Sequence, residues 1–457
     1  MSADVWPQPV LDLLAAGGDR PVFEDGPAVT TAAEMSELIR RIAAGLRSLG
    51  VGPGVGVVLP LGVTASAFAA TMAAYAVGAR VSGARPELVP DAVVVDEARL
   101  ATLVTFDSEP LRAAGRPGDP ARIIWTSGST GTPKGAVQTY AAMSAAWAPY
   151  PDRWPPAVAE LASRLRRYLV FGSLSSQVML EYGVLTLAAG GTLVAAARPV
   201  FPDALVEHRA TASVITVGKL HQLVREQRAH PADLSHLRAL MVSGSPLAPG
   251  RLAEALEVLG PVLFHGYGQT ETSMIAMATP GEMLASPAVL ETVGRPAVEV
   301  SVRAGEIYVR APAQASSYWQ DPGETAEVFV DGWVRTRDLG SLGSDGYLRL
   351  AGRARDVVIV NAILVHAGAV ERALATDAAV AEAYVVGAPD ETTGEAVHAY
   401  VVPATGRTPD PDVLRKLVAV QLGDLAVPRS VTLVDRVPLA PSGKPDKAQL
   451  RQLNNDL

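Results

Sequence analysis

The stretch IIWTSGSTGTPKGAVQTY, residues 123–140, starts as an apolar run and then breaks into glycine, serine, threonine and proline around a single lysine, Lys134. Its first part predicts a strand that delivers the chain into a loop. Gly128, Gly131 and Gly135 permit tight backbone there, and the hydroxyl and amide groups between them are donors. A loop of this composition is suited to cradle phosphate. The alternative is a serine- and glycine-rich surface turn.

The surroundings of Lys134 exclude one kind of phosphate loop. A Walker A loop has glycine directly before its lysine and serine or threonine after it. Here Lys134 lies between Pro133 and Gly135. The loop is therefore not of the Walker type.

The composition predicts a cytoplasmic globular protein with small-molecule or protein partners. The chain has 457 residues, of which 49% are hydrophobic, so it can close a substantial core. Its net charge is −8 and its pI is near 5.5, which argues against nucleic acid or an anionic membrane as the main partner. Cysteine is absent, which excludes thiolate chemistry. The N-terminus lacks a basic leader, and the longest helix-like apolar stretch, Ala65 to Gly78, is too short to span a bilayer.

Up to about residue 290, short β-rich runs alternate with stretches of helical period. Thr31 and Glu34 have capping-box spacing and begin a helix that is expected to stop at Gly50. The predicted strands include VGVVLP, AVVVDE, ATLVTF (101–106), RIIWTS, RYLVFG, GTLVAAA, ASVITVG, LRALMVSG and PVLFHGYG. This alternation predicts an α/β fold whose sheets are mostly parallel and covered by helices.

The pattern of predicted helices and strands changes twice in the last third of the chain. From about residue 291 paired strands predict a β-subdomain, with Ala304 and Gly305 at a hairpin turn. After RLAGRARD the helices and strands restart, which places a domain boundary near Arg355. We therefore expect a large N-terminal domain, residues 1–354, and a small mobile C-terminal α+β domain, residues 355–457.

The sequence TSGSTGTPKG resembles the signature loop of the acyl-adenylating superfamily, which includes acyl-CoA synthetases, luciferases and the adenylation domains of peptide synthetases. Three further stretches are similar to the later motifs of that family, in the same order: GYGQTET (266–272), GWVRTRDLGSLGSDGYLRLAGRARD (332–356) and PLAPSGKPDKAQL (438–450). The four matches span most of the chain. The resemblance implies an AMP-forming ligase that uses ATP and Mg²⁺ and activates a carboxylic acid.

The resemblance also implies a nucleotide site. Thr270 would bind the α-phosphate, Glu271 would hold Mg²⁺, Tyr267 would lie against adenine, Asp338 would accept hydrogen bonds from both ribose hydroxyls, and Arg353 would reach ribose or phosphate. The remaining nucleotide contacts are expected from the phosphate loop and two glycine-containing turns: Thr126, Ser127, Gly128, Ser129, Thr130, Gly131, Thr132, Lys134, Gly244, Ser245, Pro246 and Gly268. Each residue alone also has a structural interpretation: Tyr267 as a core aromatic, Asp338 as a turn residue, Arg353 as a surface charge.

Lys444 is the residue with the largest implied role. In the family the lysine at this position lies between the attacking carboxylate and the α-phosphate, where its charge stabilises the transition state. It reaches that place only when the small domain docks in one orientation. By resemblance the domain then rotates about a hinge at Arg355 and withdraws Lys444.

The acid pocket is less well defined by the sequence. The resemblance places Ser176, Gln177, His265 and Gly266 there, and Ser176 stands where relatives carry an aromatic gate. At the position of Gln177 amino-acid-activating relatives have an aspartate, so a neutral amide favours an aromatic or small polar acid with a hydroxyl, amine or amide group. A glutamine satisfied within the core is the alternative.

The acceptor of the activated acyl group stays open. Family membership as a whole favours a thiol of CoA or of a carrier protein. However, Ala362 replaces the glycine that lies against pantetheine in the family, and Arg337 replaces the glycine of the usual TGD. Ala367 and Ala369 replace the proline and first glutamate of the same post-hinge loop. An amine acceptor, nitrite activation for diazotisation, or a degenerate nucleotide-binding homologue are the alternatives.

Overall fold

The computed structural model describes residues 5–83, 85–126, 133–245, 247–354, 356–361, 363–439 and 445–455. Its α-helices are α1 (Gln8–Ala15), α2 (Ala32–Ser48), α3 (Ala65–Ala76), α4 (Glu97–Leu103), α5 (Tyr140–Ala145), α6 (Pro156–Arg164), α7 (Gln177–Ala188), α8 (Asp203–Glu207), α9 (Val217–Ala229), α10 (Pro249–Leu259), α11 (Pro280–Ala285), α12 (Pro322–Val328), α13 (Ala367–Ala375), α14 (Pro411–Leu422) and α15 (Lys447–Asn455). No helix in these ranges is long and apolar enough to cross a bilayer.

The strands form four sheets. They are β1 (Pro21–Asp25), β2 (Ala28–Thr31), β3 (Gly56–Val58), β4 (Arg80–Ser82), β5 (Val93–Val94), β6 (Pro120–Thr126), β7 (Lys134–Thr139), β8 (Arg167–Val170), β9 (Thr192–Ala195), β10 (Ala212–Thr216), β11 (Ala239–Ser243), β12 (Leu263–Gln269), β13 (Ser273–Ala278), β14 (Arg295–Pro296), β15 (Glu299–Arg303), β16 (Glu306–Arg310), β17 (Ser317–Tyr318), β18 (Phe329–Val330), β19 (Trp333–Leu342), β20 (Leu348–Arg353), β21 (Val357–Val360), β22 (Ile363–His366), β23 (Val380–Asp390), β24 (Gly394–Pro403) and β25 (Ser430–Leu433).

Two sheets with parallel centres make up the body of the molecule. The nine-stranded sheet has the order β14-β13-β12-β11-β10-β8-β9-β1-β2, parallel from β12 to β1 and antiparallel at both edges. The six-stranded sheet has the order β17-β7-β6-β4-β3-β5, with β7 and β17 antiparallel. One continuous apolar core lies between these sheets and the helices α1, α2, α3 and α7. The α/β class predicted from the sequence is confirmed.

The helix predicted from the capping box is α2. The Thr31 hydroxyl accepts from the backbone N–H of Glu34, and the Glu34 carboxylate accepts from the backbone N–H of Thr31. Both otherwise unpaired donors of the first turn are thereby satisfied. Met35, Ile39 and Ile42 are fully buried, so the apolar stripe faces the core as the periodicity predicted.

The strand predicted at residues 101–106 is wrong. Residues up to Leu103 belong to α4, whose N-terminus is capped by the Asp96 carboxylate accepting from the Arg99 backbone N–H at 2.8 Å. Leu100 and Leu103, one helical turn apart, are both buried. A local cap and a pair of residues at spacing three outweigh the β propensity of the valine and threonines.

The β-subdomain is an antiparallel sheet of the order β15-β16-β19-β18, with β20 also paired to β19. The β15–β16 hairpin turns at Ala304 and Gly305, whose φ angles are +48° and +82°. Two consecutive left-handed residues are typical of a type I′ turn. The hairpin predicted there is confirmed, and β19 and β20 bring the third motif of the sequence to the edge of the nine-stranded sheet.

The C-terminal part has a sheet and a core of its own. Strands β22, β21, β24 and β23 are antiparallel neighbours, and β25 pairs in parallel with β24. Helices α13 and α14 pack on this sheet. It meets the large part of the chain where Arg251 of α10 donates to the carbonyl oxygens of Val380 and Ala381, and where His221 Nδ1 lies 2.9 Å from Glu382 Oε1. The boundary between residues 354 and 355 stays a prediction.

Candidate active site

Strands β6 and β7 hold the two ends of the phosphate loop. Thr126 and Lys134 are direct partners across this antiparallel pair, and the Thr126 hydroxyl donates to the Lys134 carbonyl oxygen at 3.2 Å. A Cβ at Gly135 would lie 2.7 Å from the Ile123 side chain, so the glycine is required for close packing. The loop residues Ser127, Gly128, Ser129, Thr130, Gly131 and Thr132 lie outside the described residues.

Three of the predicted nucleotide residues come together around one carboxylate. Asp338 is buried, and its Oδ2 accepts from the Tyr267 hydroxyl and the Gln269 amide, each at 2.6 Å. Its Oδ1 accepts from Arg353 Nε at 3.0 Å. Burial, reinforced by the Asp338 charge, holds the pKa of Tyr267 well above its usual value, so the phenol stays a donor. The arrangement places the third motif beside the second.

Glycines shape the strand that carries Tyr267. A Cβ at Gly268 would lie 2.4 Å from the Ser273 carbonyl oxygen, and one at Gly266 would lie 1.9 Å from the Met241 methyl group. Gly244, with φ of +95°, directly follows the neighbouring strand β11 and is exposed, while Ser245 after it is partly buried. Pro246 lies outside the described residues.

A second group of charges surrounds Tyr318. Its hydroxyl donates to Glu271 Oε1 at 2.6 Å, and Thr270 directly precedes this glutamate. Lys134 Nζ lies 5.9 Å from the centre of the Tyr318 ring and 2.7 Å from Glu324 Oε1. Arg337 donates to the same Glu324 oxygen. The phosphate loop, the second motif and the third motif thus converge on one tyrosine that the motifs do not include.

The ionisation of Glu324 is favoured by the cations beside it. Burial opposes its ionisation, but hydrogen bonds from Arg337 and Lys134 outweigh burial and hold the pKa of Glu324 at about 2. The carboxylate is therefore ionised throughout the physiological pH range. It contributes a fixed negative charge beside the lysine of the phosphate loop.

Gln177 begins α7 and is buried. Its amide donates to the Ser273 hydroxyl, which is held in a left-handed backbone conformation with φ of +60°. Glu181 lies one turn further along the same face of α7 and lines a small cavity together with Ser273, Arg122 and Gln138. The remaining walls of the cavity are apolar and come from α5, the segment after it, α7, Trp6 and Ala313. A polar cluster therefore lies directly beside the predicted acid contact.

Glu181 has a perturbed acidity. Burial raises its pKa to about 7, although the Arg122 charge and a hydrogen bond from Ser273 favour the ionised form. Arg122 is itself buried and donates through Nε to the Gln138 side-chain oxygen at 2.9 Å. Perturbed carboxyl groups of this kind concentrate at functional sites.

We expect Glu181→Gln to raise the thermal midpoint more at pH 8 than at pH 5. Unfolded, Glu181 ionises near 4.5, whereas in the folded protein it keeps its proton to about 7. The folded state therefore binds more protons between these values, stability falls as pH rises through that window, and the cost is fully present above it. Glutamine removes the ionisation. Thermal unfolding of both proteins at the two pH values checks this, and equal differences at both would contradict the raised pKa.

His265 and Ser176 complete the predicted acid pocket. His265 is buried in β12, burial lowers its pKa to about 4, and its Nδ1 has no hydrogen-bond partner among the described residues. Ser176 directly precedes α7 and does not cap it with its side chain. Neither these two residues nor Gln177 and Gly266 line the cavity at Glu181.

Lys444, Arg355 and Ala362 lie outside the described residues. Ion pairs join the residues that follow Lys444 and Arg355 in the chain. Lys447 Nζ lies 2.5 Å from Asp356 Oδ2 and 2.6 Å from Glu371 Oε1. The helix that follows Lys444 is thus anchored to the residue that follows Arg355.

Four polar residues that contact the predicted site residues were not predicted from the sequence: Gln269, Ser273, Tyr318 and Glu324. Each reaches the site through a contact far away in the sequence, as between Tyr318 and Glu271, 47 positions apart. Glu181 was also missed, although its position four residues after Gln177 in a helical stretch was a usable signal.

The models of two families match the chain: "AMP-binding enzyme" over residues 14–112 and 92–319, and "AMP-binding enzyme C-terminal domain" over residues 369–444. The chain therefore belongs to the family of AMP-binding enzymes, and it is an AMP-forming ligase.

The relatives include CoA ligases and an amide bond synthetase. A medium/long-chain-fatty-acid–CoA ligase, FadD8 of Mycobacterium tuberculosis, is 33% identical over 79% of this chain and 66% of its own length. A feruloyl-CoA synthase of an Amycolatopsis species is 31% identical over 93% of this chain and 94% of its own. Among solved structures, the amide bond synthetase McbA from Marinactinospora thermotolerans superimposes with a TM-score of 0.85 at 34% identity, covering 97% of this chain and 99% of that one.

Proposed function

We propose that the protein activates an aromatic or small polar carboxylic acid with ATP and transfers the acyl group to an amine, forming an amide. The observation that carries the amine acceptor is the similarity to an amide bond synthetase over nearly the whole of both chains, at 34% identity. Ala362 agrees with it, since a methyl group at a glycine that lies against pantetheine in relatives reduces the room for a thiol arm. This choice replaces the thiol expected from the family as a whole.

The reaction has two balanced steps. The carboxylate oxygen attacks the α-phosphorus of ATP, the bond to the β-phosphate bridging oxygen breaks, and pyrophosphate leaves. The amine nitrogen then attacks the carbonyl carbon of the acyl-adenylate, AMP leaves, and the amine loses one proton. The first step accumulates negative charge on phosphate oxygens, which the cations of the site oppose.

The described contacts support a nucleotide in the predicted place. A carboxylate offers about four lone-pair positions, and three donors already occupy Asp338. One ribose hydroxyl can bond to the position left on Oδ1. The second needs the side chain of Arg353, which is 66% exposed, to move aside. Arg353 would thereby be freed to reach ribose or phosphate oxygen.

Glu271 fits a role as the protein ligand of Mg²⁺. It is a partly buried carboxylate with the Tyr318 hydroxyl holding one of its oxygens. Magnesium is commonly bound through one or two carboxylates and the phosphates of the substrate. When bound, the ion would offset charge on the phosphate oxygens.

The polar cluster of α7 supports an acid with a hydrogen-bonding substituent. Gln177 and Ser273 hold each other in place, and Glu181 offers an acceptor one turn away. A purely aliphatic acid would leave the remaining hydrogen-bonding capacity of Gln177 and Glu181 unused, which costs free energy where water is excluded. This favours a ring or short chain that carries a hydroxyl, amine or amide.

Replacing Gln177 with leucine should abolish activity on the native acid and keep or raise it on an analogue that lacks the polar substituent. The reason is that a site built to bond a polar group rejects analogues that lack this group by about 10⁴- to 10⁵-fold, whereas an apolar site discriminates by only about 100-fold. Initial rates of pyrophosphate release with paired acids check the expectation. An equal loss of activity on every acid of the panel would show that Gln177 has only a structural role.

The acceptor is tested on the isolated enzyme–adenylate complex, because the ATP-consuming step is then complete. Amines, CoA, a carrier protein and nitrite are each added in a single turnover, and released AMP and acyl product are measured. We expect amines to discharge the adenylate and yield the amide. Faster discharge by CoA or by the carrier protein would overturn the proposal in favour of a thioester.

A thiol acceptor is the second candidate, supported by the CoA ligases among the relatives. Ala362→Gly separates the two. If the loop admits pantetheine poorly, glycine should raise discharge by CoA and leave discharge by amines unchanged. If neither discharge rate changed, Ala362 would have no effect on the choice of acceptor.

A further inference from the structure

A short segment of the chain joins the second motif to the strand that follows the phosphate loop. We call residues 315–319 the connecting segment; it includes β17, which pairs antiparallel with β7. At its start the Ala315 N–H donates to the carbonyl oxygen of Glu271 at 2.8 Å. At its end the Trp319 N–H donates to the carbonyl oxygen of Gly135 at 2.7 Å. The connecting segment therefore ties the backbone of Glu271 to β7.

The side chain of Tyr318 extends this connection to the Glu271 carboxylate. Its hydroxyl donates to Glu271 Oε1 at 2.6 Å. Tyr318 is 8% exposed, and its ring packs edge-on against Phe329 with 5.4 Å between the ring centres. The apolar cluster around the ring comes from β7, the connecting segment, α12 and β19. Because packed apolar groups enclose the ring, the fold holds the hydroxyl in place independently of Glu271.

Glu271 by itself is a flexible ligand. Its side chain has several rotatable bonds, and the residue is only partly buried. The hydrogen bond from Tyr318 uses one carboxylate oxygen and restricts the orientation of the group, so that a cation can bind at the other oxygen. Magnesium demands near-ideal octahedral geometry, and a carboxylate that is oriented in advance meets this demand at a lower cost in ordering.

We propose that Tyr318 is a positioning residue for the Mg²⁺ that accompanies ATP: its hydroxyl orients the Glu271 carboxylate before the ion binds. This role rests on the proposed function, in which Glu271 is the protein ligand of the ion. It gives Tyr318 no contact with the ion or with the nucleotide.

Replacing Tyr318 with phenylalanine removes the hydroxyl and keeps the packed ring. The affinity for ATP in the absence of the acid is measured by calorimetry, once with Mg²⁺ in excess and once with a chelator in its place. In Mg²⁺ we expect ATP to bind about tenfold more weakly than to wild type, because loss of a partner that orients a metal ligand typically costs about 10- to 100-fold in metal affinity. With the chelator the two proteins should bind ATP equally.

Glu271→Gln completes a double-mutant cycle. This variant should lose most of the gain in ATP affinity that Mg²⁺ gives the wild type. Adding Tyr318→Phe to it should have little further effect, because Tyr318 acts only through the carboxylate. Tyr347→Phe is the matched control, since the Tyr347 hydroxyl also donates to a glutamate, Glu282 Oε1, at 2.9 Å, and both residues lie outside the predicted site. The control should bind ATP as wild type under both conditions.

The variants distinguish failure of the positioning role from failure of the metal site. If Glu271→Gln weakens ATP binding in Mg²⁺ and Tyr318→Phe does not, the role of Tyr318 is overturned and Glu271 keeps its own. If Glu271→Gln has no effect, the metal role of Glu271 is overturned, and the role of Tyr318 with it. Equal losses with and without Mg²⁺, or additive losses in the double variant, would show that the Tyr318 hydroxyl supports the structure in general and would also overturn the proposal.

Discussion

Replacing Lys444 with alanine is expected to slow acyl-adenylate formation by about 100- to 1000-fold and to leave ATP binding nearly unchanged. The reason is that a charge placed between the attacking carboxylate and the α-phosphate acts mainly on the transition state. Pyrophosphate release at saturating substrates and calorimetric binding of ATP measure the two quantities. Lys416→Ala, on the exposed face of α14 in the same part of the chain, is the control and should behave as wild type.

The same variant separates the two steps of the reaction. If the small domain withdraws Lys444 after adenylation, a preformed acyl-adenylate should be discharged by its acceptor at the wild-type rate. Parallel loss of ATP affinity and turnover would show that Lys444 acts in ground-state binding. Loss of the second step as well would argue against the rotation.

Replacing Asp338 with asparagine should lower kcat/KM for ATP by about 100-fold or more, since hydrogen bonds to a charged acceptor contribute roughly 1.5–3 kcal/mol each and in the proposed site two ribose hydroxyls would donate to it. The asparagine amide would also place an N–H donor where the Asp338 carboxylate accepts from Tyr267, Gln269 and Arg353, so that donors would face a donor. The KM for the acid should change far less. Steady-state kinetics with each substrate varied in turn measure the difference.

A matched control lies on the same hairpin. Asp345 lies in the turn between β19 and β20, and its exposed carboxylate is paired with Arg349 of β20. Asp345→Asn should leave kcat/KM for ATP within about twofold of wild type, because exposed ion pairs contribute little. Thermal unfolding of both variants excludes a general loss of structure. Similar kinetic losses in the two variants would show that Asp338 is not a nucleotide contact.

Local patterns were enough for much of the secondary structure. The capping box of α2 and the hairpin at Ala304 and Gly305 depend on residues within a few positions of each other, so the sequence displays them directly. The error at residues 101–106 arose where two local signals disagreed, a β-rich composition and a helix cap at Asp96. The cap prevailed because it satisfies backbone donors that would otherwise be unpaired.

What the sequence by itself determined is the class of the fold and the motif residues that meet in it. Tyr267 was predicted from one motif and Asp338 and Arg353 from another, and in the structure Asp338 accepts hydrogen bonds from both of the others. The resemblance of their motifs to those of the family identified them, and the fold brings the β19–β20 hairpin against the end of β12.

What only the tertiary structure decided is which residues partner the motifs. Tyr318 holds Glu271, Glu324 holds both Lys134 and Arg337, and Ser273 joins Gln177 to the cluster at Glu181. These contacts join distant parts of the chain, and burial converts them into strong ones by removing water from charged and polar groups. Hydrophobic period, capping and turn chemistry act within a few residues, so they carry no information about such pairs, which form only when the packed sheets bring them into contact.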